Sequence, residues 1–316
     1  MKAKTVEMTG LLLLWVRALL LPANKLEAAP LTFVTALPIS QDLVTIRQYA
    51  QPGHSTGGPA GLNGNLWNLN FPTVLVWSPI PRVALFGSID PEYSLMNETL
   101  SGKRQTRTAS GFGDSLLFAR YTLYHRDSQD ETFQIDPLVG VFLPTGYYNK
   151  SDHLGRLPLP MQNGSGSVDP YFGYAAIHKT LTWEVDWDST YQYDPAASSD
   201  FQHGSSARAD MAIFRRLTPW AMPDQGAPSE LWGGLETNFI WQDRSQIDGR
   251  TDSSTGGIVW YLDPSFYYAS RFWSAGAAIQ LPVVQHLFGH GQLSSRYNLF
   301  VYFEYYLIAP SIFDRS

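Results

Sequence analysis

The chain has 316 residues, of which 16% are charged and 14% aromatic, against about a quarter charged in an ordinary soluble domain. Its net charge of -6 with no basic cluster excludes nucleic acid as a partner, and the absence of cysteine excludes a disulfide framework, a thiolate metal site and a cysteine nucleophile. No apolar run after the N-terminus approaches the ~18 residues of a membrane helix, so the chain reads as all-β, either a transmembrane barrel whose alternating residues average out in hydropathy or a large secreted sandwich.

The N-terminus has the layout of a secretory signal. Lys2 and Lys4 precede an apolar stretch from Leu11 to Leu21, interrupted at Arg17, and the small residues Ala28 and Ala29 follow. Cleavage after residue 29 is expected. It would remove four basic and two acidic residues and leave 18 against 26.

Period-two alternation, which puts successive side chains on opposite faces of a strand, then picks out about twelve segments. Weaker ones lie over 43–50, 71–78 and 82–92. From Gly113 to Tyr124, Leu117, Ala119, Tyr121 and Leu123 oppose Asp114, Phe118, Arg120 and Thr122. From Thr132 to Leu143, Phe133, Ile135, Val139 and Val141 oppose Gln134, Asp136 and Gly140. A weaker segment over 168–178 precedes the clearest one, Leu181 to Tyr193. There Trp183, Val185, Trp187, Ser189 and Tyr191 oppose Glu184, Asp186, Asp188, Thr190 and Gln192. A helix would gather Glu184, Trp187 and Asp188 on one face and bury nothing coherent. Further segments cover 206–217, then 231–242, with Leu235, Phe239 and Trp241 against Glu236, Asn238 and Gln242, then 256–268 and 271–283. The last runs from Tyr297 to Ile308 and sets Leu299, Val301, Phe303 and Tyr305 against Asn298, Tyr302 and Glu304.

The connections sort by parity. Odd-numbered gaps such as Gln51–Asn70, Ser94–Phe112 and Thr145–Ser167 are long, whereas even-numbered ones such as Pro79–Pro81, Lys179–Thr180 and Ala269–Ser270 are short, with Thr218–Pro228 the exception. Outer-membrane barrels alternate long outer loops with short periplasmic turns, and an even strand count leaves both termini periplasmic. A sandwich has no reason to sort its loops this way. The expected fold is therefore an all-β antiparallel barrel over 30–308 with a short tail, 309–316, in the outer membrane of a Gram-negative bacterium. Pro137 and Pro264 fall mid-strand, where a ladder donor is lost and a bulge is expected.

Five stretches carry a family resemblance: Thr35-Ala-Leu-Pro-Ile-Ser40, Ser110-Gly-Phe-Gly-Asp-Ser-Leu-Leu-Phe-Ala-Arg-Tyr121, Leu143-Pro-Thr-Gly146, Gly164-Ser-Gly-Ser-Val-Asp169 and Leu281-Pro-Val-Val-Gln285. In this order they resemble the outer-membrane transporters grouped as the MetA-pathway of phenol degradation family. The resemblance implies a barrel and passage of small organic compounds, and it carries over no catalytic residue. Barrels often end on an aromatic that closes the last strand, whereas this chain continues to Ser316. The assembly machinery, an expected partner along with outer-membrane lipid and small solutes, would then read a signal ending near Tyr306.

If the apolar faces meet lipid, the polar faces meet the lumen. The candidate lining is Asp114, Arg120, Asp136, Glu184, Asp186, Asp188, Arg208, Asp210, Glu236, Asp263 and Glu304, joined by Asp90, Glu92 and Arg216. The excess of carboxylates reads either as a lining that selects cations or as Arg–carboxylate networks that brace or plug the barrel. Asp210 with Arg208 and Asp114 with Arg120 are possible bracing pairs. His286 and His290 read as loop residues rather than metal ligands, and no Ser, His and acid form the constellation of a membrane hydrolase. A passive channel without cofactor or metal is expected, with a structural barrel or a lipid hydrolase as its rivals.

Overall fold

The computed structural model describes residues 30–59, 62–195, 201–223 and 228–308. The expected leader 1–29 and tail 309–316 lie outside the described residues.

Twelve antiparallel strands close on themselves. β1 is Leu43–Gly57, and β2 runs through Gly64–Asn70 and Thr73–Ile80. β3 runs through Val83–Ile89 and Pro91–Leu100, and β4 through Lys103–Phe112, Ser115–Tyr121 and Tyr124–Asp127. There follow β5 (Glu131–Leu143), β6 (Asp169–Thr180), β7 (Trp183–Gln192), β8 (Ser206–Thr218), β9 (Glu230–Gln242), β10 (Gly257–Ala269), β11 (Trp273–Leu287) and β12 (Leu293–Ile308). Each pairs with its sequence neighbour, and β12 returns to β1 from Leu43↔Ile308 to Gly57↔Leu293. Closure leaves no open edge through the barrel wall, which a lipid environment requires of strands.

The alternation read from the sequence fixes which face is which. Along β7, Glu184, Asp186, Asp188 and Thr190 are buried inside, while Trp183 is exposed and Val185 and Trp187 stand half-exposed between them. The same rule leaves Leu75, Leu85, Leu117, Val139, Ile213 and Leu235 exposed around the outside. A belt of large apolar side chains over a buried polar interior inverts a soluble protein and marks a membrane-spanning barrel.

Strands β1 to β4 are longer than alternation predicts. The stretches read as the first two long gaps are mostly sheet: Gln51–Gly57 pairs with Gly64–Asn70, and Pro91–Leu100 with Lys103–Phe112. This second hairpin ends in a two-residue turn with positive φ at both Ser101 and Gly102, a geometry whose twist matches the flanking strands. The stretches look like loops because above the lipid their outward positions, such as Asn65, Asn97 and Thr106, are polar. β2, β3 and β4 each break at one level, at Phe71–Pro72, Asp90 and Gly113–Asp114.

The prolines fall where the ladder is interrupted. Pro137 lies opposite a bulge in β4: Arg120 pairs with Leu138 and Tyr124 with Ile135, so three residues of β4 face two of β5. The missing N–H of Pro137 thus has no ladder partner to lose on that side. Pro264 likewise sits where the β10–β11 pairing skips from Leu262↔Leu281 to Ser265↔Ala278.

Candidate functional site

Residues 30–42, which precede β1, do not lie outside the barrel. They thread into its lumen without helix or strand, bending at 31–33, and Leu31, Thr32, Thr35, Ala36 and Leu37 are all buried. A segment of this kind carries backbone donors and acceptors that no sheet ladder satisfies, and each one left buried and unpaired would be costly. The barrel wall supplies their partners from charged side chains.

Glu236 on β9 accepts from the Leu31 N–H at 3.2 and 3.1 Å and from the Thr32 N–H and hydroxyl at 3.0 and 2.6 Å. Asp188 on β7 accepts from the Val34 N–H at 3.2 Å, and Asp186 accepts from the Thr35 hydroxyl. The carbonyls are met by arginines. Arg208 donates to Thr32 at 3.2 Å, and Arg120 donates to Thr35 and, at 2.6 Å, to Leu37. Arg120 is itself aimed by Asp136, 2.9 Å from its Nε. Carboxylates grip donors and guanidinium groups grip acceptors, both as charge-assisted bonds. Apolar contacts complete the seat: Leu31 packs with Phe214, Trp232 and Tyr267, and Ala36 and Leu37 pack with Ala175 and Ile177.

The other expected lumen residues are paired within the wall. Glu184 meets Lys179 and accepts from the Tyr267 hydroxyl at 3.0 Å. Asp210 meets Arg208 at 3.1 Å and lies directly across from Asp188. Glu304 meets Arg47 at 2.8 Å, and Asp263 accepts from Gln280 at 3.3 Å. Asp114 is not paired with Arg120. It stands at the long-loop end, where its carboxylate accepts from the Gly146 N–H at 2.9 Å and from the Ser165 N–H and hydroxyl, both at 2.7 Å. Two of the short motifs are thereby tied together by a third. Gly146 and Gly164 touch so closely that a Cβ on Gly146 would lie 2.8 Å from the Gly164 Cα.

The loop 144–168 so held folds over the barrel mouth. Arg107 binds Asp152 at 2.8 and 2.7 Å, Glu92 accepts from Asn163 at 2.7 Å, and Leu157 and Met161 pack on Leu66, Met96 and Ala109 of the inner wall. Beside it, in the loop after β7, burial and then the neighbouring Asp169 push the Asp194 carboxyl up to about 7, and burial lowers the pKa of His203.

Between plug and wall a cavity of about 560 Å³ runs from Asp114 at the long-loop end to Ile39 and Thr45 near the short turns. One side is aromatic: Phe86 and Phe118 stack with centroids 4.2 Å apart, and Tyr171 stands edge-on to Phe118 at 6.0 Å and to Phe142 at 5.5 Å. Beside Tyr171, the adjoining strands β7 and β8 present Asp188, Thr190, Arg208 and Asp210. Of the residues expected to line a lumen, Asp90, Asp114, Arg120, Asp188, Arg208, Asp210 and Glu304 border this cavity, and Glu92, Asp136, Glu184, Asp186, Arg216, Glu236 and Asp263 do not. Sequence reasoning missed the plug, the inward cations Arg47 and Lys179, and the inward Phe86, Phe142 and Tyr171. The plug had one signal, the Thr35–Ser40 motif, which lies ahead of the first strand.

The family model described as "Putative MetA-pathway of phenol degradation" matches residues 75–283. No curated protein matches the chain in sequence. Among solved structures, the COG4313 outer membrane channel from Pseudomonas putida F1 is similar with a TM-score of 0.62 and 16% identity, covering 89% of this chain and 100% of that one. The transport unit of the autotransporter AIDA-I from Escherichia coli has a TM-score of 0.45 at 10% identity, covering 87% and 93%. The β domain of the Bordetella autotransporter BrkA has 0.44 at 9%, covering 83% and 98%. The first of these has the same fold, and the scores of the other two are too low to carry weight. With the family model spanning more than half of its length, the chain belongs to the MetA-pathway of phenol degradation family and is an outer-membrane β-barrel.

Proposed function

We propose that the protein is a passive outer-membrane channel for small, predominantly apolar or aromatic molecules, working by passage rather than catalysis. The observation that carries this reading is the cavity beside the plug. A stacked phenylalanine pair and two further rings form an aromatic wall across β3 to β6 at one level of the ladder, continued by hydrogen-bonding groups on the adjoining β7 and β8. An apolar pocket with a few placed polar groups suits such solutes. The solved relative from Pseudomonas putida F1 is described as an outer membrane channel, which supports the reading. In this reading the leader is removed, both termini are periplasmic, the loop 144–168 is extracellular, and the inward carboxylates hold the plug as well as lining the path. The partners are outer-membrane lipid, the assembly machinery and the solute.

The test is uptake of a radiolabelled neutral monoaromatic by intact cells with and without the barrel. The outer membrane is the barrier under study, because such molecules cross simple lipid vesicles unaided. Faster uptake is expected, and Phe118→Asp should abolish the gain while the barrel still assembles. Uptake equal to that of cells lacking the barrel would leave a structural, permanently plugged barrel in its place.

A further inference from the structure

Above the apolar belt, the outer face of β12 and β1 to β3 changes character within one step of the ladder, while β4 is already polar there at Thr108. The lower row consists of Tyr297, His54, Trp67 and Leu95, paired in that order across the sheet. His54 stacks on Trp67 with centroids 4.2 Å apart and planes at 17°, and Trp67 remains 43% exposed. The row above it consists of Ser294, Thr56, Asn65, Asn97 and Thr106. These polar groups are already linked: Arg296 donates to the Thr56 hydroxyl at 2.6 Å, Asn65 meets His54 at 3.3 Å, and Thr106 donates to Asn97 at 2.7 Å.

Charge sets this face apart. The chain carries more acidic than basic residues, yet the outward positions of these upper segments hold no carboxylate. Glu98, the acidic residue of the tall hairpin nearest this row, is 2% exposed and turned inward toward Arg107. Arg296 and Arg104 are exposed. An aromatic platform under a row of amides and hydroxyls, flanked by arginine and continuous with the lipid belt, fits an amphipathic anion whose chains lie along the belt.

We infer that this face binds a phosphorylated glycolipid of the outer leaflet. The sugar ring packs on the exposed face of Trp67, since an indole offers an apolar surface at the polar–apolar boundary. Asn65, Asn97 and Thr56, spaced about 4.8 Å apart across the strands, hydrogen-bond its hydroxyl and amide groups. Arg296 takes the phosphate, for which its planar fork of donors is suited. A glycerophospholipid headgroup has too few hydrogen-bonding groups to span the row, and a free sugar would gain nothing from the belt.

The test uses the refolded full-length barrel in detergent, with native mass spectrometry reading retained lipid after incubation with diphosphoryl lipid A or with phosphatidylglycerol. The wild type should retain lipid A at least tenfold more than phosphatidylglycerol, and Arg296→Gln combined with Asn65→Leu should remove that preference. Arg126→Gln, at the opposite end of the barrel, should leave it intact. Equal retention of the two lipids by the wild type would overturn the glycolipid assignment, and undiminished lipid A on the double variant would overturn the site. Heat-modifiable migration on gels reports folding. If the double variant loses it, Arg296→Gln alone, an exposed change that strands no buried group, decides by the same criterion.

Discussion

Arg120 bonds two plug carbonyls, is held by Asp136 through its Nε, and lies over the Phe86 ring at 5.4 Å. Truncating it removes the plug's grip and strands a buried carboxylate, and the second effect dominates the energetics. Arg120→Ala should therefore cost roughly 3–5 kcal/mol, the usual penalty for breaking a buried pair from one side. Arg120→Ala with Asp136→Asn should recover much of that loss, because no charge is left unpaired. Urea unfolding in lipid vesicles reads both, and a double variant as unstable as the single one would deny the pair its role. On β7 the two faces should respond unequally. Val185→Arg should cost about 2–4 kcal/mol if it lies near the midplane of the lipid. Asp186→Asn keeps an oxygen for the Thr35 hydroxyl and should cost far less. Equal losses in the same unfolding experiment would remove the case that Val185 faces lipid.

At the scale of elements, what could be read from the sequence followed from where the environment alternates. The pattern Trp183, Val185, Trp187 against Glu184, Asp186, Asp188 is legible because one side meets lipid and the other a polar lumen. The same logic fails for the tops of β1 to β4. Above the lipid, outward Asn65 and Asn97 are as polar as a loop, and strand and turn look alike. The plug was illegible for a third reason. Residues 31–37 show no alternation of burial between wall and cavity, so no periodicity arises, and their hydrogen-bond partners on the wall sit 83 to 206 positions away. The mouth loop was legible as a long gap flanked by short motifs, but its clamp on Asp114 is a tertiary fact. Asp114→Ala removes three hydrogen bonds that fasten loop 144–168, so limited proteolysis should cut that loop several-fold faster while the barrel resists. The neighbouring loop after β7 should respond to pH. The Asp194 carboxyl, raised to about 7 by burial and Asp169, favours the closed loop when protonated. Its stabilising contribution is full below the ordinary carboxylate range and is lost as pH rises through about 7. Hydrogen exchange of residues 193–195 and 201–205, corrected for intrinsic rate, should be slower at pH 5.5 than at pH 8.5 in the wild type (assay settings of about these values span the transition). Asp194→Asn should flatten that difference.

For the whole molecule, the wall and the plug divide one set of charges between them. The inward carboxylates include Asp136, Glu184, Asp186, Asp188, Asp210, Glu236, Asp263 and Glu304, and the inward cations beside them include Arg47, Arg120, Lys179, Arg208 and Arg216. The surplus of acid is tolerable because the plug's backbone donors occupy Glu236 and Asp188 and its Thr35 hydroxyl occupies Asp186. Deleting residues 30–41 while keeping the leader should expose that surplus to water. A unit charge ~4 Å from a passing ion contributes on the order of 1 kcal/mol in water and several-fold more in a narrow lumen. The deletion variant in a planar bilayer should therefore conduct strongly and prefer cations, with a reversal potential in a salt gradient shifted in the cation-selective sense. The intact barrel should conduct weakly. Replacing Glu184, Asp186 and Asp188 by their amides in the deletion background should bring the reversal potential back toward zero with the barrel still heat-modifiable. The same triple change in the intact barrel should act on the plug instead, loosening it and raising conductance with little selectivity. A deletion variant that conducts no better than the wild type would mean that the loop over the mouth, rather than the plug, closes the lumen.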